Sequence, residues 1–232
     1  MPSSLPAQPL ADLQQSLTEC RACPRLVEWR EQVAVEKRAS FRDDTYWGRP
    51  VPSFGDPAAR IVIVGLAPAA HGANRTGRMF TGDRSGDWLY GALHRAGLAS
   101  QPESTHRDDG LTLQDVWVTA AVHCAPPANK PTPAERATCG DWLIREVQAM
   151  PHARVFVALG GIAYVETLKA FAALGTTVPR PRVRFGHGVE VALGDRTIIT
   201  SYHPSQQNTF TGRLTEPMFD RIWARARALA EE

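Results

Sequence analysis

The chain has 232 residues, 43% of them hydrophobic, and a formal net charge of only +2. That apolar share supports one real core, while the charge is too small to announce a nucleic-acid partner by itself. No run approaches the length of a bilayer-spanning helix and the start, MPSSLPAQPLADLQQ, has no basic n-region or apolar h-region, so membrane and secreted classes are set aside and a cytoplasmic location is expected.

The length suggests a single domain, 1–232, with the first ten residues as a loose tail. From Leu10 to Gln32 the stretch LADLQQSLTECRACPRLVEWREQ is helical in pattern. Arg60–Ala67 (RIVIVGLA) reads as a fully buried strand ending at Gly65 and Pro68, and Asp83–Gly97 follows with helical spacing and a glycine stop. Val116–Val122 is a second strand, Pro133–Met150 a second helix, and Ala153–Leu159 a third strand closed by Gly160 and Gly161. A helix to about Leu174 comes next, then a glycine-containing hairpin or irregular strand pair over Val183–Gly194. Arg196–Tyr202 is the last core strand and Glu216–Glu231 a terminal helix. Continuous apolar strands alternating with helices mean an α/β fold: a three-layer sandwich around a central, mainly parallel four-stranded sheet. Ligands bind outside the carboxyl ends of such strands, so the loops after the first, second and last strands are the candidate site walls.

Only four cysteines occur: Cys20 and Cys23 as C-x2-C, then Cys124 and Cys139 with fourteen residues between them. Buried free thiols or disulfides are the plain alternative, but nothing argues for an oxidising compartment and a chain of this size does not need them. A thioredoxin-type pair belongs at a strand-to-helix turn, whereas Cys20 and Cys23 lie in a helical-looking stretch. Four thiolates complete a tetrahedral zinc site or a cubane cluster. The wide second pair tilts the choice towards iron–sulfur, and such a centre would clamp the N-terminal segment to the middle of the fold.

The loop Gly65–Leu89 is neither a Walker A loop nor a G-x-G-x-x-G fingerprint, so a nucleotide cofactor is not indicated. It carries His71, Asn74, Arg75, Arg78, Phe80 and Asp83. Phe80 is a core plug or a functional aromatic; Asp83 is a helix cap or a working carboxylate, and Ser85, an equally good cap, leaves Asp83 more available for chemistry. His123–Pro133 (HCAPPANKPTP) is a proline-stiffened turn presenting Asn129 and Lys130. His203 stands at the end of the last strand, with Pro204 fixing its exit and a small polar loop beyond that holds Phe210 and Arg213. That loop suits phosphate contact or entry into a groove. Lysine occurs only at Lys37, Lys130 and Lys169; arginine forks suit phosphate, though a GC-rich genome gives the same bias. His187, between two glycines, has no assigned role.

Four blocks in order, GLAPAAHG at Gly65–Gly72, RTGRMFTGD at Arg75–Asp83, CAPPANKP at Cys124–Pro131 and HPSQQNTF at His203–Phe210, together with the cysteines, resemble the uracil-DNA glycosylase superfamily, in particular its iron–sulfur family 5, the type b enzymes. The resemblance covers most of the chain. It implies that Cys20, Cys23, Cys124 and Cys139 bind a structural [4Fe–4S] cluster, and that the reaction hydrolyses the N-glycosidic bond of uracil, and of other deaminated bases such as hypoxanthine, in double-stranded DNA. Phe80 then stacks on the flipped base, Asn129 contacts it, and His203 lies beside its O2. Gly65, Ala67 and Ala69 line the pocket, and Asp83 stabilises the sugar cation or orients water. Ala67 stands where better-known families carry Asp or Asn, which agrees with family 5 and removes the usual base. Arg75, Ser205, Gln206, Gln207, Asn208 and Arg213 are expected at the DNA, with Ser205–Gly212 entering the minor groove; a monomer suffices for one flipped base. The rivals are a redox protein and a zinc-stabilised nucleic-acid-binding module without glycosylase activity.

Overall fold

A computed structural model describes residues 9–232. The expected loose tail lies outside the described residues up to residue 8, and at Leu10 the chain is already helical. Helix α1 (Leu10–Thr18) and helix α2 (Pro24–Glu36) are separate. The single helical stretch expected over Leu10–Gln32 is broken at residues 19–23, where Cys23, extended at φ −113°, is the N-cap and Pro24 opens the second helix.

The elements then run β1 (Phe54–Gly55), β2 (Ile61–Gly65), α3 (Ala73–Thr76), α4 (Arg84–Arg95), β3 (Val116–Ala120), α5 (Pro133–Ala149), β4 (Val155–Leu159), α6 (Gly161–Ala173), β5 (Glu190–Leu193), β6 (Arg196–Ser201), α7 (Gln206–Phe210) and α8 (Glu216–Glu231). Among the described residues the sheet has six strands, not four, in the order β1-β3-β2-β4-β6-β5. The four expected strands are its parallel centre, and each edge carries an antiparallel addition, β1 on β3 and β5 on β6. Of the expected hairpin over Val183–Gly194, only Glu190–Leu193 pairs with β6; the stretch before it is irregular.

Side chains of the central strands alternate between two cores. Ile61, Ile63, Val116, Val118, Val155 and Val157 pack with α4 and α8 on one face, through Leu89, Leu93, Phe219 and Trp223. Val62, Val64, Trp117, Phe156, Ala158 and Ile198 pack with α5 and α6 on the other, through Leu143, Val147, Tyr164 and Phe171. Burial on both faces is why these strands read as unbroken β-branched runs. The parallel centre, read by chain order, is second-first-third-fourth, so the winding direction reverses between β2 and β4, and a crevice outside the carboxyl ends is dictated there. Register sets those ends level: Gly65 pairs with Ala120, and Leu159 with Ser201. No helix of the described residues is long and apolar enough to cross a membrane.

Candidate active site and thiol centre

At that rim lies a cavity of about 380 Å³. Gly65 and Ala120, the last residues of β2 and β3, form its floor, with Ala67, Pro68 and Ala69 from the turn after β2. Phe80 and Asp83 enter from the loop before α4, Asn129 from the turn after β3, and His203, Ser205 and Gln207 from the segment after β6. Three separate loops thus deliver the expected Phe80, Asp83, Asn129 and His203 to one slot.

Glycine at position 65 is a steric requirement, since a Cβ there would come within 2.8 Å of the Phe80 ring. The Phe80 and His203 rings stand 5.9 Å apart at an interplanar angle of 30°. Burial without a compensating acid holds the His203 pKa down at about 4, so the imidazole is neutral at pH 7. Its main chain is fixed, because the Asn208 side-chain amide donates to the His203 carbonyl at 2.8 Å. One residue earlier, the Tyr202 N–H donates to His187 Nδ1 at 3.3 Å, and His187 Nε2 donates to the Met218 carbonyl at 3.3 Å. His187 is therefore a brace between the end of β6 and the start of α8.

Asp83, not Ser85, is the N-cap of α4: its Oδ1 accepts from the N–H groups of Ser85 and Gly86 at 2.9 and 3.1 Å. Capping does not remove it from the slot. The second oxygen, Oδ2, packs over Gly72, where an added Cβ would approach it to 2.2 Å. Burial raises the Asp83 pKa above the usual carboxylate value despite the two N–H donors. Asn129 is exposed and left-handed at φ +55°, directly after Ala128 at φ +52°. Asparagine tolerates that region better than most side chains, and from there Asn129 lines the cavity.

Arg75, expected at the DNA, is held inside its own loop. It donates to Asp44 Oδ2 (2.6 Å), to the His71 carbonyl (2.8 Å) and to the Gly82 carbonyl (3.1 Å), and it lies 3.9 Å over the Phe41 ring. All its nitrogens are engaged in fastening the loop. Ser205 caps α7 and Asn208 holds His203, so both shape the segment. Gln206, Gln207 and Arg213 are exposed, Arg213 over Tyr202 at 4.5 Å. A second groove adjoins the slot through Ala69, Asp83, Asn129, Ser205 and Gln207, and brings in Arg38, Phe41, His71 and Arg84. Sequence reading passed over Arg38, Phe41 and Arg84. For Arg84, its place at the start of a helix next to the slot was a usable signal; for Arg38 and Phe41 there was none.

All four cysteines are free thiols. Cys23, Cys124 and Cys139 pack round Leu26 and Val122 in a small cluster that also touches Ala67. The slot and the thiols thus lie back to back. Cys20, Cys23 and Cys124 are near enough that ionising any of them would raise the Cys139 pKa further. Among the described residues no group of three or more His, Cys, Asp or Glu side chains is spaced to hold a metal ion. The donors present are sulfur alone, and the buried Arg30 guanidinium gives one nitrogen to Cys124 Sγ at 2.9 Å and another to the Cys20 carbonyl at 3.2 Å. A buried cation set against thiols, with its Nε unpartnered, suits an anionic sulfur centre. The break before α2 does put the C-x2-C at a helix start, as in a redox pair. Burial however pushes Cys23 of that pair up, the reverse of an activated thiolate.

Comparison with known proteins agrees with this arrangement. A sequence model described as the uracil DNA glycosylase superfamily matches residues 52–227. A type-5 uracil-DNA glycosylase of Mycobacterium tuberculosis is 56% identical over 95% of this chain and 82% of that protein. Proteins of the same name from Thermus thermophilus (54% identical, 93% of this chain, 96% of that one) and Pyrobaculum aerophilum (46%, 94% and 92%) match over nearly their full lengths. The chain belongs to the uracil-DNA glycosylase superfamily, with the type-5 enzymes.

Proposed function

We propose that this protein is a DNA-repair glycosylase that hydrolyses the bond between uracil and deoxyribose in double-stranded DNA and leaves an abasic site. The observation that carries the reading is the slot at the carboxyl rim of the sheet, where an aromatic face, a neutral imidazole, an amide and a buried carboxylate converge. The reacting sugar carbon is out of reach in a stacked duplex, so the nucleotide is everted into the slot.

The two rings are too close to sandwich a base. A flat ring between them needs about 7 Å, two carbon contacts of ~3.5 Å, and the centroids are 5.9 Å apart. The base therefore lies on the face of Phe80, worth about 1–3 kcal/mol, with its O2 edge turned to His203. As the glycosidic bond breaks, both electrons stay with the base. His203 and backbone N–H groups of the Gly65–Ala70 turn stabilise the charge on O2, and neutral imidazole donates that hydrogen bond without surrendering its proton. Asn129 holds the opposite edge. Asp83, ionised, stabilises the sugar cation and orients the water that adds to it; the water's proton leaves and one proton returns to the base nitrogen. The floor and walls of Gly65, Ala67, Ala69, Ala73 and Ala120 are small and apolar, a surface that discriminates weakly between bases, so hypoxanthine is accepted as well. Gln206, Gln207 and Arg213 meet the duplex, and Arg38 and Arg84 flank its path.

The four cysteines would hold a structural [4Fe–4S] cluster, tying the segment just before α2 (Cys20, Cys23) and helix α5 (Cys139) to the loop after β3 that begins at Cys124 and carries Asn129. Such a cluster would supply cross-linking, and every catalytic group belongs to the slot.

Because burial raises the Asp83 pKa, the single-turnover rate should climb with pH along an acid limb centred above the ordinary carboxylate value of 3.8, as the carboxylate ionises. Asp83→Asn should abolish that limb and lower the plateau by about a hundredfold or more, with duplex affinity within about threefold. The assay is release of abasic product from a uracil-containing duplex, revealed by alkali. An unchanged limb in the variant, or a loss wholly in affinity, would make Asp83 a cap and nothing more.

A further inference from the structure

Phe80 has a backbone that its side chain rarely adopts, left-handed at φ +52°. Such residues persist where the surroundings over-determine them, and they cluster at working sites. Here the surroundings can be named. The Met79 carbonyl accepts from the Tyr90 hydroxyl at 2.7 Å and from Thr81 Oγ1 at 3.2 Å. The Thr81 carbonyl accepts from Thr76 Oγ1 at 3.2 Å. The Phe80 carbonyl abuts Gly86, where a Cβ would come within 1.9 Å.

Behind this turn sits Arg78, only 3% exposed. It donates two parallel bonds to the Asp109 carboxylate (2.8 and 2.6 Å), one to Thr81 Oγ1 (2.9 Å) and one to Ser104 Oγ (2.9 Å). Asp109 in turn accepts from the N–H groups of Thr105, His106 and Leu111 at 2.8, 3.2 and 3.0 Å, so the segment from Ser104 to Leu111 is wound round one carboxylate. The Gly82 N–H reaches the Ser104 carbonyl at 3.1 Å. Neither Arg78 nor Asp109 lines the slot. A turn that relaxed to the right-handed region would change φ by roughly 110° and swing the ring off Gly65.

We infer that Arg78 and Asp109 are positioning residues, which clamp the 79–82 turn so that Phe80 stays left-handed with its ring across the end of β2. The segment Ser104–Leu111 is thereby part of the excision machinery although it never meets the base. The inference rests on Phe80 being the stacking face. It is tested with wild type, Arg78→Lys, Phe80→Ala and the double variant on a uracil-containing duplex, reading single-turnover rate and duplex affinity separately. Lysine keeps the charge and loses the fork. Phe80→Ala should be slower by about ten- to a hundredfold. Arg78→Lys should be slower by about tenfold or more, with affinity within about twofold. The double variant should be no more than about twofold slower than Phe80→Ala alone, since coupled residues are non-additive. Losses that multiply in the double variant overturn the clamp. A Phe80→Ala protein as fast as wild type instead removes Phe80 as the stacking face, and the clamp with it. Should Arg78→Lys fail to fold, Asp109→Asn enters the same cycle with the same expected non-additivity.

Discussion

His203→Ala is expected to lower single-turnover excision of uracil by about a hundred- to a thousandfold, the cost of removing one donor aimed at developing charge, while duplex affinity changes by less than about threefold. The reason is geometric. His203 sits two residues beyond Ser201, the last residue of β6, on a main chain held by Asn208 and, through Tyr202, by His187. Its place is thus set before any substrate arrives, which is where electrostatic stabilisation of a transition state draws its strength. Its depressed pKa, about 4, keeps it a neutral donor throughout the physiological range, so the wild-type rate should show no inflection near pH 6.5 from this group. His203→Gln, which retains a donor at similar reach, should recover part of the loss. A rate for His203→Ala within about threefold of wild type would remove the imidazole from the chemistry.

Cys20→Ser is expected to yield protein with less iron, a weaker visible absorbance and a lower melting temperature, all in the same preparation. Cys23 and Cys124 stand about a hundred residues apart, and cross-linking a loop of that length is worth about 4–5 kcal/mol in the chain-entropy account. For a chain of this size that corresponds to a loss of roughly 10–20 °C in Tm. The loop carrying Asn129 begins at Cys124 and the turn carrying Ala67 packs on the same small cluster, so excision should fall with stability. A Cys20→Ser protein with wild-type iron and wild-type Tm would contradict the assignment of the four thiols to one centre. Colourless and fully active wild-type protein would do the same.

The parallel centre of the sheet and the slot were legible because both follow from short-range pattern. β2, β3, β4 and β6 are covered on both faces, so each announces itself as a β-branched run, and the strand-end rule then directs attention to the loops holding Phe80, Asp83, Asn129 and His203. The edge strands were not legible as such: β1 is two residues long, and β5 alternates exposed and buried because it lies at the rim of the sheet. The helical periodicity from Leu10 to Gln32 hid the break at Cys23, where Pro24 was the one local sign. The loop-fastening role of Arg75 was hidden for a different reason. Its partner, Asp44, is 31 residues away, and nothing in the local sequence distinguishes an arginine that fastens a loop from one that grips phosphate. Asp83 and Ser85 are two competent caps two residues apart, and the choice between them falls to Gly72 and the packing of the preceding turn. The role of His187 likewise appears only when β6 and α8 come together.

The account stands most directly on where the base goes. A structure of the protein with free uracil at saturating concentration should place the pyrimidine on the face of Phe80, with O2 within about 2.6–3.2 Å of an imidazole nitrogen of His203 and the opposite edge at Asn129. Uracil bound away from the carboxyl rim of the sheet, or lodged there with His203 turned out of hydrogen-bond reach, would contradict it.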